Sequence, residues 1–329
     1  MDTGWKRLGR WAVVLLGALL GVGLGLAIFV DYPASMAELV GVLLAIALAL
    51  LFARFARNLA RSAFAPYDVA EVLVEGPISR SGMGGIPSRP TAVPAGAIVD
   101  QIERASDDAN VDALVVRLNT PGGEVVPSED IRMAVEDFDG PTVAYATDVC
   151  ASGGYWIASG CDHVVAREGS LVGSIGVIMS SVNLSDLAER LGVSYERLAA
   201  GKFKDAGTPL KEFTEEDRDY LQGLTDDYYE QFLERVASGR DLDVETVQET
   251  EARVFLGPDA MERGLVDELG DEETVDAYLE DELDRPVDVA TMEPALPLIR
   301  RMQDGIRATA YAAGAGAMSV LTDDGPRVR

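Results

Sequence analysis

The chain has 329 residues and a formal charge of −27, with 55 Asp and Glu against 28 Lys and Arg. So acidic a surface repels nucleic acid and anionic lipid headgroups, and two cysteines are too few for a disulfide scaffold or a structural zinc site. The acidic residues are dispersed and lysine is scarce, a pattern suited to high salt, where repulsion is screened; attraction of a basic partner is the alternative use of that charge.

Two apolar stretches come first. Trp11 to Val30 carries no charge over 20 residues, the length needed to cross about 30 Å of hydrocarbon. Leu39 to Ala53 is shorter and is extended by Met36 and Ala37 if Glu38 sits at the interface. Asp31-Tyr32-Pro33-Ala34-Ser35 turns the chain between them. The expectation is a hairpin of two transmembrane helices, about 11–30 and 37–53, within a membrane segment of residues 1–61; a cleavable signal peptide over the first stretch is the alternative. Lys6, Arg7 and Arg10 precede the hairpin and Arg54, Arg57 and Arg61 follow it, so the positive-inside rule places both ends in the cytoplasm. The rest of the chain carries 22 basic against 52 acidic residues.

Val69–Val74 reads as a strand, and Ser79 to Gly96, rich in Gly, Pro and Ser, as a loop. Ile98–Asp107 has helical spacing. Then follow strand Ala113–Leu118, a Pro-Gly-Gly turn, helix Ser128–Phe138, strand Thr142–Ala146, helix Ser152–Ser159 and strand His163–Ala166. Short β-branched strands alternating with helices predict a parallel sheet with right-handed crossovers, an α/β fold. Thr214 to Ser238 is a long helix, with Thr214 and Asp217 set as a capping box. Gly257–Leu269 is a short helix and turn, and Asp271–Glu282 an acidic helix. The globular domain is expected over 62–290, followed by a tail, 291–329, with Arg300, Arg301, Arg307 and a small-residue run. Cys150 and Cys161, spaced as opposite ends of one helix, read as small buried apolar residues.

Two strand-to-helix turns could carry chemistry. Asn119-Thr120-Pro121-Gly122-Gly123 and Val149-Cys150-Ala151-Ser152-Gly153-Gly154 both fall at carboxyl ends of consecutive parallel strands, where ligands bind in such sheets. The amides of Gly122 or Gly123 and of Gly153 could form a two-donor oxyanion hole beside Ser152 Oγ, although Ser152 could equally cap its helix and Pro-Gly-Gly simply turn the chain. A serine nucleophile needs a base. The chain has one histidine, His163, at the start of an apolar strand and so more naturally a strand-end residue. A lysine is the substitute, drawn from Lys202, Lys204 and Lys211, with Lys204 best placed. Bringing a lysine from about 10.4 to near 7–8 takes about 4 kcal/mol of desolvation and local field. No metal-ligand cluster, Walker motif or other cofactor signature is present.

Several ordered motifs resemble those of signal peptide peptidase A, the serine–lysine peptidases of family S49, related in fold to Clp protease and crotonase. They are Thr120-Pro121-Gly122-Gly123, Ala151-Ser152-Gly153-Gly154-Tyr155, Gly173-Ser174-Ile175-Gly176-Val177-Ile178, Gly201-Lys202-Phe203-Lys204-Asp205, Arg253-Val254-Phe255-Leu256-Gly257 and Gly264 to Gly270, spanning roughly 69–280. The resemblance implies Ser152 as nucleophile, Lys204 as general base (Lys202 if the alignment is shifted by two), Gly153 with Gly122 or Gly123 as oxyanion donors, and Ser174 as a hydrogen-bond partner of the lysine amine. It implies a membrane-anchored serine endopeptidase that degrades signal-peptide remnants or other membrane-derived peptides, assembled as a ring or dome of identical subunits. Each half of the dyad occurs once here, so self-assembly or one subunit must complete the site. The family's catalytic domain usually faces outside, against the charge rule. Two other functions fit the same fold: a crotonase-like acyl-CoA enzyme, which needs paired acidic groups and no essential serine, and a catalytically silent membrane scaffold.

Overall fold

The computed structural model describes residues 9, 12–23, 48–54, 56, 66–81 and 94–294. Most of the Ser79–Gly96 loop, the 31–35 turn and the tail from 295 lie outside the described residues.

Residues 12–23 and 48–54 are helical. Gly17 and Gly21, one turn apart, are where the two helical pieces meet. A Cβ on Gly17 would fall 2.3 Å from Ala56 Cβ, and one on Gly21 2.9 Å from Ala49 Cα. Small residues at this spacing let helix backbones approach closely. Among the described residues no helix is long and apolar enough to cross a membrane. The expected transmembrane hairpin is therefore not seen; the remainder of its two spans lies outside the described residues.

The globular part is a sheet of eight strands. Strands β1 (Val69–Glu75), β2 (Ala113–Thr120) and β3 (Thr142–Ala151) form its centre, joined by helices α1 (Ala95–Ser106) and α2 (Val125–Glu136). The β-branched and Ala/Leu strands pair parallel, as the alternating pattern predicts. Buried residues then sort by period two. Leu114, Val116 and Leu118 of β2 meet Ile98 and Ile102 of α1 and Ile131 and Val135 of α2 in the larger core. Ala113 and Val115 face the other way, in a smaller cluster with Val143, Tyr145 and two residues of the acidic helix, Val275 and Leu279.

β3 is ten residues long, twice the predicted strand. Its neighbours explain the extra length, because the strand forks. Val143–Ala146 pairs with β4 (His163–Ala166), whereas Val149–Ala151 pairs with β5 (Leu171–Gly173). β5 in turn pairs antiparallel with β6 (Val254–Leu256). Neither three-residue strand was legible, since so short a run shows no periodicity. A two-residue β7 (Glu268–Leu269) joins β4. β8 (Val289–Thr291) adds a parallel edge to β1, so Thr291 closes the sheet rather than opening the tail.

Helix α3 (Gly153–Ala158) begins one residue later than expected and leaves Ser152 outside it. α4 (Ser185–Arg190) is a single short helix. The long α5 (Glu215–Arg240) carries the expected capping box: the Asp217 N–H donates to Thr214 Oγ1 at 3.2 Å, and Asp217 Oδ2 accepts from the Thr214 N–H at 3.4 Å and hydroxyl at 2.8 Å. After α6 (Val244–Gln248), α7 (Gly257–Met261) is followed by α8 (Glu272–Leu283). His163 stacks on Tyr278 of α8 at 3.9 Å with Asp267 3.8 Å away, a strand-end residue as expected. Cys150 and Cys161 are both buried and free; Cys150 lies on β3 rather than at a helix end.

Candidate active site

The fork in β3 carries the chain to the carboxyl edge of the sheet and releases it at Ser152. There the backbone takes φ 53° and ψ −121°, a left-handed conformation that costs a non-glycine residue about 1–3 kcal/mol. The Ser152 N–H donates to Gly173 O at 2.9 Å and its carbonyl accepts from the Trp156 N–H at 2.9 Å. Its hydroxyl does not cap α3. The elbow is held from both sides while Oγ stays free of backbone bonding.

The Pro-Gly-Gly turn at the end of β2 lies against this elbow. A Cβ on Gly122 (φ 90°) would stand 2.5 Å from Gly153 N and 2.8 Å from Ser152 Cβ, so only glycine fits. The two candidate amides of the turn differ. The Gly122 N–H donates to Thr120 Oγ1 at 3.0 Å and is spent on the turn. The Gly123 N–H has no acceptor among the described residues, and neither has that of Gly153 at the first turn of α3. The position of a Gly153 Cβ is 3.2 Å from Gly123 N, which places the two unpaired donors side by side next to Ser152. Gly123 is itself locked to the end of β1, with Ile78 O accepting from the Glu124 N–H at 2.9 Å and the Ile78 N–H donating to Gly122 O at 2.9 Å.

A cavity of about 110 Å³ opens at this point, lined by Gly123, Ser128, Ser152 and Gly153 and by the apolar Val125, Trp156, Val177, Ile178 and Phe232. Ser128, Trp156 and Phe232 carried no functional signal in the sequence. Trp156 reads as a helix residue and Phe232 as core spacing in α5; only the fold brings them to Ser152. The Trp156 indole N–H donates to Glu129 Oε2 at 2.6 Å and its ring meets Phe232 at 4.5 Å.

The lysines are not in this cavity. Lys202 Nζ pairs with Glu216 at 3.0 Å, both largely exposed. Lys211 Nζ bridges Asp217 at 2.7 Å and Asp205 at 3.3 Å; hydrogen bonding to Asp217, then to Asp205, raises its pKa and keeps it cationic. Lys204 is exposed, and its ammonium makes no hydrogen bond or ion pair among the described residues. Ser174 (φ 51°) donates its N–H to Arg253 O at 2.8 Å, and no bond joins it to Lys204. Among the described residues Ser152, Gly123 and Gly153 therefore line one cavity, and none of Lys202, Lys204 and Lys211 lines it. Burial pushes the Cys150 thiol up to about 12, which leaves it inert beside the serine. Among the described residues no cluster of His, Cys, Asp or Glu is placed to hold a metal.

Residues 136–285 match peptidase family S49. A candidate protease of Synechocystis sp. is 41% identical over 199 residues, covering 59% of this chain and 72% of that protein. The chain belongs to peptidase family S49. A candidate protease of Methanocaldococcus jannaschii is 36% identical over 179 residues, 54% of this chain and 57% of its own. A candidate signal peptide peptidase SppA of Enterococcus faecium is 36% identical over 188 residues, 56% of this chain and 53% of its own. The chain thus spans little more than half the length of these last two relatives. Membership of family S49 is that of a serine-type peptidase, and the sheet is of the mostly parallel α/β kind that the strand and helix pattern predicts.

Proposed function

We propose that this S49 protein is a membrane-anchored serine endopeptidase in which Ser152 and Lys204 form the catalytic dyad. The observation that carries the reading is the strained Ser152 elbow beside two unpaired amides, Gly123 and Gly153. The Lys204 amine takes the Ser152 proton as Oγ bonds to the peptide carbonyl carbon. The Gly123 and Gly153 amides hold the oxyanion. Collapse breaks the C–N bond, the lysine proton goes to the leaving amine, and water then releases the acyl group by the same steps. Gly122 shapes the turn instead of donating. Trp156, Phe232, Val177 and Ile178 favour small or apolar substrate side chains, in keeping with signal-peptide remnants or other membrane-derived peptides.

The dyad is completed by a second copy. Residues flanking Lys204 are tied to Glu216, Asp217 and Tyr220 of α5, whereas Phe232 of the same helix lines the cavity. At 1.5 Å per residue, 12–16 residues of helix separate the two by about 18–24 Å, beyond the reach of a lysine side chain. The segment that bears Lys204 is also apolar on its outside: Ile178, Val182, Leu191 and Leu198 are all more than two-thirds exposed, as expected of a surface that packs in an oligomer. The two apolar runs of the sequence and the close Gly17–Ala56 and Gly21–Ala49 approach support the anchoring part of this reading. The flanking arginines favour a cytoplasmic catalytic domain, which protease accessibility in oriented vesicles would decide.

The test is hydrolysis of a fluorogenic apolar peptide in high salt by wild type and by Ser152→Ala, Lys204→Ala and Lys202→Ala. Loss with the first two and retention with the third is expected. An active Ser152→Ala protein would end the peptidase reading, and a dead Lys202→Ala with an active Lys204→Ala would move the base by two residues.

A further inference from the structure

Lysine is scarce in this chain: Lys6, Lys202, Lys204 and Lys211 are all there are. Lys211 is nonetheless set between two carboxylates in a place its side chain nearly fills, with one-fifth of it exposed against 9% for Asp205 and 3% for Asp217. Arg197 Nε forms an ion pair with Asp205 Oδ2 at 2.5 Å. Two cations thus balance two almost buried anions, and removing Lys211 leaves Asp217 without a cation while Asp205 keeps Arg197. The bonded groups lie on either side of Lys204. Phe203 stacks on Tyr220 at 4.7 Å, Lys202 reaches Glu216 at 3.0 Å, and Asp205 is drawn through Lys211 to Asp217, the capping-box residue of α5. Lys204 is the one position in 202–205 whose side chain is left unbonded.

We propose that Lys211 is a positioning residue for peptide hydrolysis: by bridging Asp205 and Asp217 it clamps the Lys204 loop onto the first turn of α5 and so aims the general base. This rests on the Ser152–Lys204 reading above. A rigid presentation matters because the amine must meet the serine of another subunit, and a misplacement of about 1 Å in a catalytic group can cost about 10²-fold in rate.

The full-length oligomer is assayed on the fluorogenic apolar peptide, separating kcat from KM. Lys211→Met is expected to lower kcat by about 30- to 100-fold with KM changed less than about threefold. Lys211→Arg, which can still bridge two carboxylates, is expected to recover to within about threefold of wild type. Asp205→Asn keeps the Lys211–Asp217 pair and the capping box, and is expected to lower kcat by about 10-fold. A folded Lys211→Met protein with kcat within about threefold of wild type, a loss confined to KM, or failure of arginine to restore kcat would overturn the clamp. If Lys211→Met does not fold, Asp205→Asn decides alone: unchanged kcat overturns it. Lys204→Ala run in parallel separates the two ideas, since an active Lys204→Ala protein sinks the dyad, whereas a dead one beside an active Lys211→Met sinks only the clamp.

Discussion

Ser152 offers a stability experiment whose sign distinguishes a nucleophile elbow from a helix cap. Its φ of 53° carries a Cβ penalty of about 1–3 kcal/mol. Glycine removes that penalty but adds back about 0.4–1 kcal/mol of unfolded-state entropy. Ser152→Gly should therefore stabilise the fold by about 1 kcal/mol, a rise in Tm of about 2–4 °C for a domain of this size. Ser152→Ala keeps the Cβ and loses no capping bond, because the hydroxyl makes none, so it should sit within about 0.5 kcal/mol of wild type. A serine that simply capped α3 would behave oppositely: alanine would cost about 1 kcal/mol and glycine a few tenths. Thermal and urea unfolding of the three proteins at one salt concentration supply the comparison. A Ser152→Gly protein less stable than wild type would refute the strain argument.

Other outcomes follow from the same geometry. Gly153→Ala keeps its N–H but sets a Cβ 2.4 Å from Ser128 Oγ and 3.2 Å from Gly123 N; displacement of the donor by this clash should lower kcat by up to about 10²–10³-fold, the cost of one oxyanion donor, and Ser128→Gly in the same chain should restore part of it in steady-state assays. The Asp217 carboxyl is held below its ordinary value of 3.8, first by the Lys211 ammonium and then by Thr214. A depressed carboxyl stabilises above its unfolded pKa and loses that contribution as pH falls through the folded value, so Asp217→Asn should lower Tm between pH 5 and 8, with the gap closing below about pH 4. Raising KCl from about 0.1 to 1 M shortens the screening length from about 10 to 3 Å and should raise Tm in a chain of charge −27; an unchanged Tm would remove the case for haloadaptation. With Cys150 raised to about 12 and Cys161 raised further by burial, iodoacetamide should leave native activity intact, and inactivation with labelling of Cys150 would contradict its burial.

The sequence by itself determined the framework. Strands β1, β2 and β4, helices α1 and α2 and the α5 capping box follow from period-two and period-3.6 patterns and a Thr-x-x-Asp start, signals carried by residues close together in the chain. The proposed nucleophile was legible as a candidate for the same reason: a Ser-Gly-Gly elbow and a Pro-Gly-Gly turn lie at the ends of consecutive strands, and a single histidine directs attention to lysine. Tertiary structure decided what depends on distant segments. The fork that lengthens β3 exists because β5, too short to show a period and flanked on its other side by the equally short β6, replaces β4 as its neighbour. Gly122 and Gly123 look equivalent in sequence, and only the Thr120 hydroxyl and the Ile78 carbonyl separate the turn-former from the free donor. Ser128, Trp156 and Phe232 reach the cavity from three helices whose local patterns report burial alone. Which of three lysines stays unbonded was settled by Glu216, Asp205 and Asp217, because a side chain's partners are set by how helices and loops pack, not by the residues on either side of it.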